Sequence, residues 1–397
     1  MKLISMKTLL GLGLAMLLLA GCSSKKEKLV LPEVNNQFRP VVVWDHRAVD
    51  GVQHFDSSLR PLITSDKLYA ANRKGIVSAY DLASGKRLWA FDIRREEQIG
   101  FWRMLFDRNK ENGRISGGLS RGFGHLLLGT ENGEVIAMDP ETGAIRWRTK
   151  VRGEVLAAPA TGDGMIVVNT GSGLLVALDP VTGDKRWTYE QELPMLTIRG
   201  VAEPVVLSGG VVFGSGSGKV GVLIAEHGLP AWEEVIATPE GATELARLVD
   251  VDAKPLVVGN TVYALAYNGE LVALELTSGR PLWKRDYASF RNMAVADNIL
   301  YLVDSTARVY AIDRRNGQEI WAQTSLERHF VTAPTVFGDY LVFGDNKGFL
   351  HWLDRRTGDL VARHRFDKSG LYTAPVTDGE HLVLQSRNGE LVVLRLP

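Results

Sequence analysis

The stretch Gly133-Glu-Val-Ile-Ala137-Met-Asp139-Pro-Glu-Thr-Gly143-Ala-Ile-Arg-Trp147 contains the pattern that decides the fold. Its general form is Gly-x-h-x-Ala-h-Asp-x-x-x-Gly-x-x-x-Trp, where h is apolar, and a second clear copy spans residues 173–187. Further copies, with some positions substituted, occupy residues 75–89, 218–232, 269–283, 307–321 and 348–362. An eighth copy begins at Gly389 and runs out of sequence, and Trp44 can supply the Trp that it lacks. Such self-similarity predicts a fold of repeated units.

A proline marks the start of most units. In six of the eight copies it lies fourteen residues before the first Gly, at Pro61, Pro159, Pro204, Pro255, Pro334 and Pro375. The second and sixth copies have Leu119 and Met293 at that place. Because this proline keeps a constant spacing from the fifteen-residue pattern, the repeats are not a coincidental match.

Hydrophobic alternation within one unit predicts four strands. In the third unit they are residues 155–160, 165–168, 174–178 and a last strand opening at 184–187, separated by turns rich in Gly. Four short antiparallel strands repeated at about forty residues are typical of a β-propeller blade. We therefore predict an all-β fold of eight blades, in which the N-terminal strand through Trp44 completes the last blade, because an open ring would leave unpaired edges.

Composition narrows the possible functions. Lys plus Arg and Asp plus Glu both number 46, so no global basic field favours nucleic acid or an anionic membrane surface. The sequence also has 41 Gly and 45% hydrophobic residues, enough for many tight turns and a core shared between blades. Residues 39–397 are predicted to be a single propeller, and no nucleic-acid partner is expected.

The N-terminus predicts export and a lipid anchor. Lys2 and Lys7 precede an apolar run too short for a comfortable membrane span, so residues 1–21 are interpreted as a signal peptide. The following Leu19-Ala20-Gly21-Cys22 resembles a bacterial lipobox, which implies cleavage before Cys22 and acylation of that residue. Cys22 is the only Cys, so no internal disulfide is possible. Residues 22–38 are predicted to form the lipidated Cys and a flexible tether, and no Asp follows Cys22, which favours the outer membrane facing the periplasm.

The repeat also resembles the tryptophan-docking motif of pyrroloquinoline-quinone dehydrogenases, which are eight-bladed propellers. That resemblance implies a quinone, a calcium or lanthanide ion, a catalytic Asp and, in many members, a disulfide of adjacent Cys residues. One Cys cannot supply the disulfide, and no Asp/Glu/Asn cluster is recognisable. We predict no enzymatic activity, no cofactor and no metal, with a quinone-dependent periplasmic dehydrogenase as the alternative.

Two further patterns are interpreted as structural. The eight histidines show no metal-ligand spacing among themselves. The run Gly214-Ser-Gly-Ser-Gly218-Lys219 leads into a predicted strand and not into a helix, so it lacks the helix N-terminus that binds phosphate. We predict a tight turn between the second and third strands of blade four.

Length varies only between one Trp and the next Pro, in the connections between blades. Because strands alternate in direction, these connections share a face with the turns between second and third strands, so we expect binding there. Two enlarged neighbouring connections contain Arg199 and Asp250, each five residues before the Pro of its blade, with Asp252 close by. The 30-residue connection after Trp89, which includes residues 101–106, is interpreted either as a partner loop or as a packed insertion.

From end to end the chain resembles the BamB family, the propeller lipoproteins of the outer-membrane β-barrel assembly machinery. The resemblance is most specific in Leu196-Thr-Ile-Arg-Gly200, Arg247-Leu-Val-Asp-Val-Asp252, Val262-Tyr-Ala-Leu-Ala-Tyr-Asn-Gly269 and Gly348-Phe-Leu-His-Trp352. It implies a non-enzymatic protein that binds the periplasmic polypeptide-transport-associated domains of the barrel subunit BamA and helps to insert β-barrel proteins. Direct contact with unfolded outer-membrane clients is left open.

The resemblance also implies which residues bind the partner. They are Leu196, Ile198, Arg199, Asp250 and Asp252, and the family often has Leu where this chain has Ile198. The alternation of Leu196 and Ile198 about Thr197 is equally consistent with packing of a first strand into the core. Periodicity leaves both interpretations open.

Overall fold

Eight antiparallel sheets succeed one another around a ring in the computed structural model, which describes residues 30–47, 51, 59–98, 113–194, 196–197 and 200–397. Residues Glu33–Pro397 form one compact unit. The sheets of the first four blades follow a leading strand, β1 (Val41–Arg47). Their strands are β2 (Leu62–Ile63), β3 (Lys67–Ala71), β4 (Ile76–Asp81), β5 (Arg87–Asp92), β6 (Glu97–Gln98), β7 (Ile115–Gly122), β8 (His125–Thr130), β9 (Glu134–Met138), β10 (Ile145–Lys150), β11 (Ala160–Gly162), β12 (Met165–Asn169), β13 (Leu174–Leu178), β14 (Lys185–Glu190), β15 (Val205–Leu207), β16 (Gly210–Gly214), β17 (Lys219–Ile224) and β18 (Pro230–Val235).

The second half of the ring repeats the arrangement after a short 3-10 helix, Leu245–Arg247. Its strands are β19 (Leu256–Val258), β20 (Thr261–Leu265), β21 (Leu271–Glu275), β22 (Pro281–Arg285), β23 (Ala294–Ala296), β24 (Ile299–Val303), β25 (Val309–Asp313), β26 (Gln318–Gln323), β27 (Thr335–Phe337), β28 (Tyr340–Gly344), β29 (Phe349–Asp354), β30 (Leu360–Arg365), β31 (Val376–Thr377), β32 (Leu382–Gln385) and β33 (Glu390–Arg395). The predicted eight-bladed, all-β propeller is confirmed.

Burial along each blade follows from its place in the ring. The middle strands of blade three, β12 and β13, are buried at every position because both of their faces are covered by neighbouring blades. The outermost strand β14 alternates between exposed and half-buried residues, as expected for an edge. Apolar clusters accordingly span two blades, and one of them joins Tyr69 and Trp89 of blade one to Leu126 and Met138 of blade two.

The repeat Trp and the second repeat Gly form a contact between adjacent blades. In the described chain seven Trp side chains each donate a hydrogen bond from Nε1 to a carbonyl in the turn between third and fourth strands of the next blade, at 2.7–3.2 Å. The pairs are Trp44 with Leu82, Trp89 with Pro140, Trp147 with Pro180, Trp187 with Ala225, Trp232 with Leu276, Trp283 with Arg314 and Trp321 with Arg355.

The Trp ring lies against the Gly of that same turn. These glycines have φ between +68° and +78°, and a Cβ on any of them would overlap the Trp of the preceding blade. The spacing of fifteen residues in the sequence therefore encodes a contact between blades, in addition to the turn itself.

The ring closes through the two ends of the chain. Strand β1 pairs antiparallel with β33, with Trp44 opposite Val393, and the innermost strands β2 and β31 contact each other. Trp44 then donates to the carbonyl of Leu82 in blade one at 2.7 Å. The predicted closure by the N-terminal strand is confirmed.

Two details differ from the predicted strands. Blade one has a fifth strand, β6, paired with β5. The first strand of blade three, predicted over residues 155–160, is Ala160–Gly162 instead. Pro159 has no N–H to donate to a ladder, so pairing starts after it.

Blade seven exchanges the positions of its large and small residues. In the other sheets an Ala or Val of the third strand lies opposite the Trp of the fourth, as Ala177 lies opposite Trp187. In blade seven Trp352 of β29 lies opposite Ala362 of β30. The reason lies in blade eight, where strands β33 and β1 come from opposite ends of the chain, so no turn joins them to receive a docking Trp.

The segment before β1 covers blade seven where the docking Trp is missing. Gln37 N donates to Val361 O at 3.0 Å, and the Phe38 ring meets the Trp352 ring edge-on, with centroids 5.3 Å apart. His364 Nε2 lies 2.9 Å from the Phe38 carbonyl. Residues 36–38 therefore stabilise the boundary between blades seven and eight, which the repeat motif cannot stabilise there.

Candidate functional site

Two connections between blades converge beside the turn that joins β16 to β17. Val251 N donates to Ser215 O at 3.0 Å, which brings the connection after β18 against this turn. Thr197, in the connection after β14, lies so close to Gly216 that a Cβ there would crowd its methyl group. The two connections and the turn between second and third strands therefore share one face of blades three to five.

The glycine-rich run of blade four forms the predicted turn. Strand β16 ends at Gly214, β17 begins at Lys219, and Gly218 N donates to Ser215 O at 3.3 Å. The Lys219 ammonium lies 3.4 Å from Glu233 and 3.8 Å from Glu192, so its charge is balanced by carboxylates. This turn supports the converging connections.

Asp250 and Asp252 lie on the inner side of this face of the propeller. Asp250 is 1% exposed, and Val251 between them packs into the core with Val212 and Val220. Burial, and secondly the negative charge of Asp250, raises the pKa of Asp252 to about 7. Within the described part of the chain no hydrogen-bond partner lies near Asp252 Oδ2.

The connection after β14 forms the outer part of the same face. Leu196 is 44% exposed and Leu193 is 39% exposed, so Leu196 is not a core residue. At the end of this connection the backbone of Gly200 lies directly against the Asp252 carboxylate, and an added Cβ would overlap it. The fold thus places Asp250 and Asp252 around one cavity with Thr197, the neighbour of Leu196, whereas Ile198 and Arg199 lie outside the described residues.

A small cavity of about 30 Å³ separates the two connections. Its lining includes Thr197, Gly200 and the two aspartates. Such a volume holds a water molecule and excludes an organic ligand. A binding partner could therefore contact the exposed Leu193 and Leu196 only from the outer surface of the protein, and not from within the cavity.

Two buried amides at this site were missed by the sequence analysis. Asn169 and Gln191 line the same cavity and hydrogen bond to each other at 3.1 Å. A signal existed, since Asn169 is a polar residue four positions before the repeat Gly, where most units have a small or apolar residue. The predicted second strand of blade three ended at residue 168, so Asn169 lay outside it, whereas the observed strand includes Asn169.

The axis of the ring is spanned by charged side chains. Arg60, Glu203 and Lys254 each precede an innermost strand, of blades one, four and five respectively. Glu203 accepts from Arg60 at 3.1 Å and also pairs with Lys254. Blades one and four lie three positions apart, so this bridge crosses the space in which a planar quinone would have to fit. These residues do not fit that cofactor.

The remaining expectations concern metals and membranes. Among the residues that the structure describes, no group of three His, Cys, Asp or Glu side chains is arranged to hold a metal ion. Nor does any helix in that part of the chain have the length and apolar character to cross a bilayer. Cys22 and residues 101–106, for which the sequence analysis made predictions, lie outside the described residues.

Comparison with known proteins identifies the family. The profile of the family described as outer membrane protein assembly factor BamB matches residues 73–323 and 315–396. The protein of that name from Alteromonas naphthalenivorans is 43% identical over 356 residues, which cover 87% of this chain and 85% of the relative. The one from Escherichia coli (strain K12) is 41% identical over 346 residues, or 86% of each chain.

Solved structures agree on the architecture. BamB from Moraxella catarrhalis superposes with a TM-score of 0.77 at 26% identity, covering 90% of this chain and all of that one. A europium-containing methanol dehydrogenase superposes with a TM-score of 0.70 at 13% identity, covering 92% of this chain and 96% of the other, which is a likeness of fold alone. With its repeats, its closure and its matched profile, the chain belongs to the BamB family of outer membrane protein assembly factors.

Proposed function

We propose that the protein is a non-enzymatic scaffold of outer-membrane protein assembly that binds the periplasmic domains of the barrel subunit BamA and assists insertion of β-barrel proteins. Its family and the names of its relatives support a role in outer-membrane protein assembly. The observation that supports the choice of surface is the convergence of two connections from neighbouring blades, in which Thr197, the neighbour of Leu196, lines one cavity with Asp250 and Asp252.

The chemistry of this surface suits a protein partner. Leu193 and Leu196 offer exposed apolar side chains, and Leu193 lines the cavity together with the buried Asp250 and the half-buried Asp252. Interfaces of this kind combine apolar anchors with charges that are shielded from water when the partner docks. Ile198 and Arg199, on the same connection, are proposed to complete the contact, with the Arg oriented by at least one of the two aspartates.

Capture of the BamA periplasmic domains by purified variants tests this proposal. Asp250→Ala combined with Asp252→Ala should weaken binding by on the order of 2 kcal/mol or more, which is about thirtyfold in Kd. Leu196→Ala and Arg199→Ala should weaken it as well, and the thermal unfolding of these two variants should change little. Asp184→Ala is the matched control, because Asp184 lies in the turn between β13 and β14 on the opposite face. Folded variants that bind at wild-type strength would rule this surface out.

The protein is further proposed to be anchored in the outer membrane, facing the periplasm, through acylated Cys22. Residues 1–21 are the cleaved signal, residues 22–38 link the anchor to the ring, and residues 39–397 form the propeller. Stable anchoring needs more than one acyl chain, since each buried methylene contributes about 0.8 kcal/mol.

Membrane fractionation tests the anchor. Cys22→Ser should move the protein to the periplasmic fraction with its fold intact, and Ser23→Ala, which keeps the Cys, should not. A Cys22→Ser protein that stays with the membrane in a strain lacking its partners would contradict the proposal.

A further inference from the structure

A buried amide in blade three contacts both ends of the connection that bears Leu196. Asn169, the last residue of β12, is 4% exposed. Its Nδ2 donates to the carbonyl of Ala202 at 3.2 Å, with a longer contact to the carbonyl of Gly214 at 3.4 Å. Its Oδ1 accepts from Gln191 Nε2 at 3.1 Å. Gln191 directly follows β14, and Ala202 lies three residues before β15, so one side chain fixes where the connection starts and where it ends.

The third contact extends this link to the acidic half of the surface. Gly214 ends β16, and the next residue, Ser215, accepts a hydrogen bond from Val251 N at 3.0 Å. Val251 lies between Asp250 and Asp252 in the chain. The Asn169 amide is therefore hydrogen-bonded directly to each end of the connection that carries Leu196. It is linked to the acidic pair through Gly214 and Ser215, which binds Val251.

The other blades show that the fold does not require an amide here. The residues four positions before the repeat Gly, or Ala307 in unit six, are Ala71, Gly129, Gly214, Leu265, Val303 and Gly344, with Gln385 in blade eight as the other amide. A polar group on a fully buried strand costs free energy unless it is hydrogen-bonded. In blade three that compensation comes from the connection and the turn that build the candidate surface.

We infer that Asn169, assisted by Gln191, is a positioning residue that sets the Leu196 side of the surface relative to the Asp250 and Asp252 side. The inference rests on the proposed function, since it concerns the geometry of the same surface. Asn169 touches no partner itself, because it is buried beneath the connection. Its effect on binding is transmitted through Gln191, Ala202 and Gly214.

The test compares two buried amides at the same repeat position. Asn169→Leu removes the hydrogen bonds at similar volume, and Gln385→Leu does the same in blade eight, where Gln385 Nε2 donates to Ala71 O at 3.2 Å. Both variants should lower the melting temperature. Only Asn169→Leu should weaken capture of the BamA periplasmic domains, by about tenfold. It should also speed amide hydrogen exchange at residue 191, where the N–H of Gln191 donates to Gly173 O at 2.8 Å.

Parallel measurements separate the possible failures. If Asn169→Leu binds at wild-type strength, or if Gln385→Leu weakens binding equally, the positioning role is overturned. If the variant lacking both aspartates also binds normally, the proposed surface itself has failed. Should Asn169→Leu not fold, Gln191→Leu replaces it, since it removes one donor near the surface, and unchanged binding and exchange in that variant overturn the inference.

Discussion

At the scale of single residues, the unusual group is the carboxyl of Asp252. It lies against the backbone of Gly200 and close to the negative charge of Asp250. Burial and that charge raise its pKa from 3.8 to about 7. Because the folded protein holds this proton more tightly than the unfolded chain does, the stabilisation is complete below about pH 4 and is lost as the pH rises through 7.

Replacing Asp252 with Asn should therefore change the pH dependence of stability. The amide is neutral at every pH, so the variant should gain unfolding free energy relative to wild type between pH 5 and pH 8. We expect a gain on the order of 1–3 kcal/mol, since one pKa unit corresponds to about 1.4 kcal/mol and this carboxyl is not fully buried. Urea unfolding at both pH values measures it. Parallel curves for the two proteins would show that Asp252 does not titrate in this range.

At the scale of elements, cohesion between blades depends on the Trp that docks on the next turn. Trp147 Nε1 donates to Pro180 O at 3.1 Å, and its ring covers Gly183. Trp352 of blade seven is buried in a different way, among Phe38, Phe337 and Tyr340, and among the described residues its Nε1 has no acceptor. The same residue type thus has two different structural roles.

Phenylalanine substitutions should separate these roles. Trp147→Phe leaves the Pro180 carbonyl without its donor as well as reducing ring volume, whereas Trp352→Phe reduces volume alone. We expect Trp147→Phe to cost about 1–2 kcal/mol more unfolding free energy, the cost of a buried group left unpaired. Urea denaturation of the two variants provides the comparison. A larger loss for Trp352→Phe would contradict this account of docking.

At the scale of the whole molecule, the ring depends on a strand from its own N-terminus. Strand β1 covers the edge of β33, and Trp44 docks on blade one. The segment 36–38 adds contacts to blade seven. Without β1, the edge of β33 would be open to strand addition by another chain.

Two truncations should show where this dependence begins. A protein that starts at Glu33 keeps both β1 and residues 36–38, so its melting temperature should equal that of the mature protein. A protein that starts after Arg47 loses β1 and Trp44 and should be destabilised by at least about 3–5 kcal/mol, the cost of removing one buried Trp. It should also aggregate through the exposed edge of β33. Thermal unfolding and light scattering check both, and equal melting of the two truncations would refute closure by β1.

The sequence by itself determined the number of blades, their strand order and the closure of the ring. Those features follow from a local pattern repeated eight times, with Trp and Gly at constant spacing. Substitutions in single copies therefore do not hide the pattern. The same pattern predicts that Arg199 and Asp250 occupy equivalent places in adjacent blades, with Asp252 close by. The lipidation of Cys22 and the partner-binding roles of the remaining site residues remain predictions, namely those of Leu196, Ile198, Arg199, Asp250 and Asp252.

Only the tertiary structure decided what depends on contacts between units. The exposure of Leu196 is set by the fold around it and not by the alternation of residues 196–198. The same holds for Asn169, which looks like an exception in an apolar strand until Gln191 and Ala202 are seen beside it. By contrast, the shift of the first strand of blade three to Ala160 follows from the adjacent Pro159, and the fifth strand of blade one is a local pairing of β6 with β5. Unlike the repeated Trp hydrogen bonds, those of Asn169 leave no period in the sequence, because they are made once in the ring, and so the geometry of the candidate site required the folded structure.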